Sequence, residues 1–272
     1  MDMKRTAVPF IVLLVVTVAC CPVASADIAF ATPARTFGPG HVSNPADPRF
    51  PRVLLHVSLE ISDADKARPE LRTWSAITPR LCELWYSAIC AQFGESDVPH
   101  EVVLRVVAGT GGHAEDNVIT IGVQDILQNP TDYGAVIHEL THVVQGYRYG
   151  WFRNKGIGWL VEGIADYVRF YAYETDPKFG DIRPGKSQYC DGYRTTACFL
   201  DYVVRVYDGN FVKKLHRTLR EGTMNPDVFD EMLATDTDVP VSRRETRADL
   251  FAHFLAEWQN KHGAIAAAMP PN

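Results

Sequence analysis

Between Arg52 and Glu60 every second position is apolar, at Val53, Leu55, Val57 and Leu59, and this period of two predicts a strand. Ala67 to Phe93 changes to helical spacing, with leucines and aromatics three and four apart, and Pro79 inside it predicts a break into two helices. Val102 to Val107 and Val118 to Val123 predict two further strands. The segment between them, Ala108 to Asn117, contains Gly109, Gly111 and Gly112 but no following Lys-Ser/Thr. It therefore reads as a hairpin loop rather than a phosphate cradle. From Asp132 to about Gln259 helical patterns replace strands, and no internal repeat is visible. Strands with a long helix first, and helices afterwards, predict an α+β fold with a small N-terminal sheet and a mostly helical second half.

The two ends stand apart from this pattern. Lys4 and Arg5 precede an apolar run from Ala7 to Ala19, and Ala24-Ser25-Ala26 follows, so residues 1–26 read as a signal peptide of a secreted protein. The run falls short of the roughly 20 residues needed to span a bilayer, which leaves an uncleaved anchor, or a lipid anchor at Cys20 or Cys21, as the alternatives. Residues 27–50 read as an extended leader, residues 51–262 as the folded domain and residues 263–272 as a flexible tail. Composition fits one globular domain, with 46% hydrophobic and 22% charged residues in a chain of 272. The net charge of −6, without any Lys/Arg cluster, argues against nucleic acid or an anionic membrane as partner. Cys82, Cys90, Cys190 and Cys198 form an even set that predicts two disulfides in an oxidising compartment. Cys82 and Cys90 on one helix would lie about 12 Å apart, so pairing across the two groups is favoured, with four free thiols as the alternative.

Chemistry enters at Asp132–Tyr147, which contains His138-Glu139-Leu140-Thr141-His142, an H-E-x-x-H pattern. On a helix the two histidines sit one turn apart on the side opposite Val136, Ile137, Leu140, Val143 and Val144, with Glu139 about 100° away. Downstream, Trp159–Asp166 is a second helical segment in which Glu162 and Asp166 share a face opposite Leu160, Val161, Ile164 and Val168. Two histidines and a glutamate make the three-ligand set of a catalytic zinc, so His138, His142 and Glu162 are the expected ligands of one Zn²⁺. Asp166 is the expected partner of a ligand imidazole's second nitrogen. Glu139 would then act as general base on the metal-activated water, with a peptide or protein as substrate. Hydrolysis also needs a donor for the developing oxyanion, and Tyr193 is the first candidate, ahead of Arg194, Tyr147 and Tyr149. The acidic stretch of Asp227, Asp230, Glu231, Asp236 and Asp238 reads as a solvated face rather than a calcium loop, and the remaining histidines as surface or packing residues.

Three segments carry a wider likeness: His138–Gln145, Leu160–Arg169 and Gly192–Tyr202. With them the chain resembles the plant basic secretory protein family, the peptidases of plants and bacteria, over roughly Arg52 to Lys261. The resemblance implies a thermolysin-like zinc peptidase domain, secretion and peptidase activity, with ligands at His138, His142 and Glu162. This chain departs from the family in being acidic, and in a few extra residues within Tyr149–Lys155 that would border the cleft. A non-catalytic secreted defence or binding protein on the same fold is the competing class, against which the intact Glu139 argues. No G-A-M-E-N-like run is present, which favours an endopeptidase over an aminopeptidase.

Overall fold

The computed structural model describes residue 45 and residues 52–147, 155–174, 182–236 and 238–267. The predicted signal peptide, the leader apart from residue 45, and Tyr149 lie outside the described residues. Strand β1 (His56–Glu60) leads through a short helix α1 (Asp63–Lys66) into α2 (Pro69–Phe93), then β2 (Glu101–Val107), β3 (Gly112–Glu115) and β4 (Val118–Gly122). The helical half follows: α3 (Val123–Gln128), α4 (Gly134–Gln145) and α5 (Gly158–Tyr167), which runs on as a π-helical turn at Val168–Tyr173. The last helices are α6 (Tyr193–Val206), α7 (Phe211–Arg220), α8 (Pro226–Thr235) and α9 (Arg247–Ala267). The α+β class and the division into a small sheet and a helical half are as the pattern predicts. Helix α9 runs past Gly263, into the segment read as a tail.

Three elements differ from expectation. Helix α2 passes through Pro79 unbroken, and the buried Thr78 turns its hydroxyl onto the Trp74 carbonyl at 2.7 Å. The glycine-containing segment includes a strand, β3. The sheet order is β1-β2-β4-β3, with β1, β2 and β4 parallel and β3 antiparallel to β4 on the edge. The tight turn is therefore at Asp116-Asn117, between β3 and β4, and β2 and β4 are parallel neighbours rather than hairpin arms. Asp116 takes φ 51° there, a left-handed conformation that Asp tolerates better than most residues. The third difference is the cysteines, which are free, so the predicted disulfides are absent. Cys82 and Cys90 are buried on α2, whereas Cys198 lies on α6, which packs mainly on α5. Burial pushes the thiols of Cys82, Cys90 and Cys198 up to about 12, well away from the reactive thiolate.

Helices cover one face of the sheet, α2 against β1 and α4 against β3 and β4. The register aligns inward rows across the strands: Leu59, Leu104, Ile119 and Ala114, then Val106, Ile121 and Gly112. The outer face carries Glu101, Arg105 and Thr120, with Arg105 paired to Glu60 at 2.6 Å. Helix α4 packs against α2, the sheet, α5 and the π-helical turn, so its apolar residues Val136, Ile137, Leu140 and Val144 are all buried. The H-E-x-x-H residues are thus carried on an element held from several sides.

Candidate functional site

Helices α4 and α5 bring the predicted ligands together. His138 Nε2 and His142 Nε2 are 3.1 Å apart, and Glu162 Oε2 lies 3.2 Å from the first and 3.4 Å from the second. His138 Nδ1 donates to Asp166 Oδ1 at 2.7 Å and His142 Nδ1 donates to Gln145 Oε1 at 2.6 Å. Both Nε2 lone pairs consequently point at each other and at a carboxylate oxygen. Neutral rings and a carboxylate that converge in this way are joined by a shared cation, either a metal ion or a proton on one Nε2. Donor atoms of a tetrahedral zinc at about 2.0–2.1 Å lie about 3.3 Å from one another, so this spacing fits such an ion. His138, His142 and Glu162 could hold a metal ion, and Asp166 stands where the expected second partner belongs.

The charges around the site follow from these contacts. Burial opposes a charge on His138, but hydrogen bonds to Asp166 and Glu162 outweigh it and raise the ring to about 9. Burial acts against ionisation of Glu162 as well, yet the His138 and His142 donors hold it well below the usual carboxylate range. Glu139 is different: burial raises it, against the pull of His142 and His138. The two carboxylates of the cleft are thus shifted in opposite directions, Glu162 down and Glu139 up.

Glu139 reaches the sheet edge. A Cβ placed on Gly112 would stand 3.1 Å from Glu139 Oε1, so the glycine that ends an inward row of the sheet leaves room for this carboxylate. A cavity of about 610 Å³ opens between β3 and α4, lined by Gly112–Asn117, the two histidines, Glu139, Glu162 and Tyr193. A second of about 310 Å³ meets it at His138, Glu139 and Tyr193, with Trp74, Ile126 and Val136 along its wall.

Tyr193 begins α6 with φ 42°, after Gly192 at φ 80°. Its ring stacks on His138 with centroids 6.2 Å apart and 15° between planes, and it is 57% exposed. Thr196 holds this turn, accepting from the Gly192 amide at 3.1 Å and donating to the Tyr189 carbonyl at 2.8 Å. Thr196 in turn packs on Gly163, where any Cβ would clash at 2.2 Å. The other described candidates, Arg194 and Tyr147, point elsewhere. Arg194 lies over the Phe170 ring at 4.9 Å, and the Tyr147 hydroxyl meets His216 Nδ1 at 2.9 Å.

Sequence reasoning passed over three features. Gln145 was one more residue of the motif, but it bonds both His142 and the Val161 carbonyl. Its position three residues beyond His142, one helical turn away, was the available signal. His113 lines the larger cavity from β3. His216 is fully buried, hydrogen-bonded to Glu95 Oε1 at 3.0 Å and stacked on Phe93. In the acidic stretch, Asp236 and Asp238 join Asp208 around the Lys214 ammonium at 2.6, 2.6 and 2.9 Å. The protein's own lysine is the cation there.

The family model described as a peptidase of plants and bacteria matches residues 103–240, half of the chain, and spans β3, helices α4 and α5 and the Tyr193 turn. No curated protein and no solved structure is matched.

Proposed function

The chain belongs to the family of peptidases of plants and bacteria, and from that premise we propose that it is a secreted, zinc-dependent peptidase with a thermolysin-like catalytic domain. The observation that carries the reading is the convergence of His138 Nε2, His142 Nε2 and Glu162 Oε2 beside a buried carboxylate that faces an exposed sheet edge. The ligands would be His138, His142 and Glu162, each ring oriented by a partner at its other nitrogen. Zinc bound there supplies a Lewis acid and lowers the pKa of water to about 7.

The chain's own groups do the rest. Glu139 takes the proton of the attacking water and later delivers it to the leaving amine, a role suited to a carboxylate whose proton affinity burial has raised. Strand β3 is the last in the sheet among the described residues, and an extended peptide would add along its outer edge and lie across Glu139. Tyr193, held over His138 by the Gly163–Thr196 contact, donates to the developing oxyanion. Secretion rests on the first 26 residues of the sequence, with Lys4 and Arg5 before the apolar run.

The test is cleavage of casein by purified protein, followed through chelation and metal restoration. Activity lost to a zinc chelator and regained with one equivalent of Zn²⁺ is the expected result. Cleavage indifferent to the chelator contradicts the zinc reading, and a zinc-loaded protein that cuts neither casein nor a peptide library belongs to the binding-protein class.

A further inference from the structure

Gln145 is the last residue of α4 and is 1% exposed. Both ends of its amide are engaged, and the second contact fixes the sense of the first. The Val161 carbonyl oxygen, 3.2 Å from Nε2, can only accept, so the NH₂ faces it and the amide oxygen faces His142. That oxygen lies 2.6 Å from His142 Nδ1 and can only accept in turn. The proton of His142 is therefore on Nδ1, and its Nε2 lone pair is aimed at the point shared with His138 and Glu162. Val161 immediately precedes the ligand Glu162 on α5.

We propose that Gln145 is a positioning residue of the metal centre, which locks the tautomer of His142 and ties that ring to the turn of α5 carrying Glu162. This inference rests on the metal-site reading above. Asp166 orients His138 with a carboxylate, whereas Gln145 orients His142 with a neutral group. The choice avoids a further buried negative charge beside Glu139 and Glu162. An amide also combines, in one side chain, an acceptor for His142 with a donor to the Val161 carbonyl. Glu keeps the acceptor alone, and Leu keeps neither.

The experiment uses the full chain as wild type, Gln145→Leu and Gln145→Glu. Zinc dissociation constants come from chelator competition, melting temperatures are recorded beside them, and ¹⁵N NMR reads the His142 ring of the metal-free wild type at alkaline pH, where imidazole is neutral. The expected results are an Nδ1–H tautomer for His142 and zinc binding weakened about 10- to 100-fold by Gln145→Leu. Gln145→Glu should recover most of that affinity while still melting below wild type, because a carboxylate oxygen would then face the Val161 carbonyl oxygen. Zinc binding unchanged in Gln145→Leu, at whatever melting temperature, overturns the proposal and leaves the residue a brace between helices. An Nε2–H tautomer in the wild type overturns it as well, and that measurement stands even if Gln145→Leu does not fold. Absence of zinc binding in the wild type would instead defeat the metal-site reading, and the tautomer would still report whether the amide sets the ring.

Discussion

At the scale of single residues, the cleft depends on two imidazoles whose Nδ1 atoms are already engaged, His138 by Asp166 and His142 by Gln145. Asp166 fixes the His138 ring through a 2.7 Å hydrogen bond from deep burial, so Asp166→Ala should weaken zinc binding about 10- to 100-fold, read by chelator competition. Tyr193→Phe removes one hydroxyl and leaves the ring stacked on His138. The expected result is a kcat lower by about 10²–10³ with KM little changed, and an unaltered kcat would exclude Tyr193 as the oxyanion donor. The convergence of these side chains was legible in the sequence because His138 with His142, and Glu162 with Asp166, each stand four residues apart on one helix, and spacing decides which side chains share a face. The job of Gln145 was not legible in the same way. It depends on the Val161 carbonyl of another helix, and no periodicity within α4 reports a partner across a packing interface.

Elements set the distances that those residues need. Edge strand β3 passes Glu139 at Gly112, and a methyl group there would press on the carboxylate oxygen and on Ile121. Gly112→Ala is therefore expected to cost activity, up to about 10²-fold through displacement of the base, while zinc binding is retained. Equal losses of zinc affinity and of activity would contradict that account. Helices α5 and α6 approach closely enough that Thr196 occupies the space a side chain at Gly163 would fill. Gly163→Val should destabilise the fold by at least about 1–3 kcal/mol in denaturant melts and displace the Tyr193 turn with it. Strands with an inward row of branched residues, such as Val102-Leu104-Val106, were readable from their alternation. Strand β3 was not, since Gly112-His113-Ala114-Glu115 has no large apolar residue to bury on either face. Nor does the local pattern reveal that β2 and β4 run parallel, because that pairing is chosen by the connection through the β3 edge.

For the whole molecule, one hydrophobic core of the described residues joins the sheet, helices α4 and α5 and the C-terminal helices, and its stability carries a pH dependence from a buried ring. Burial lowers His216 to about 4, although Glu95 pulls the other way, so the folded chain keeps this ring neutral where the unfolded chain would protonate it. The unfolded state then binds more protons, and stability falls as pH drops from about 6.5 towards 4. NMR titration should find His216 neutral at pH 5.5, where an exposed imidazole is already charged; a charged His216 at that pH would refute this. The proposed hydrolysis at a zinc centre, with Glu139 as base, makes a separate demand on the intact protein. Zinc content and casein cleavage should be measured side by side for wild type and Glu139→Gln. One zinc per chain in both proteins, and cleavage lowered by at least about 10²–10⁴-fold in the variant, are the expected results. Equal cleavage by the two, or a wild type that holds no zinc, would contradict it.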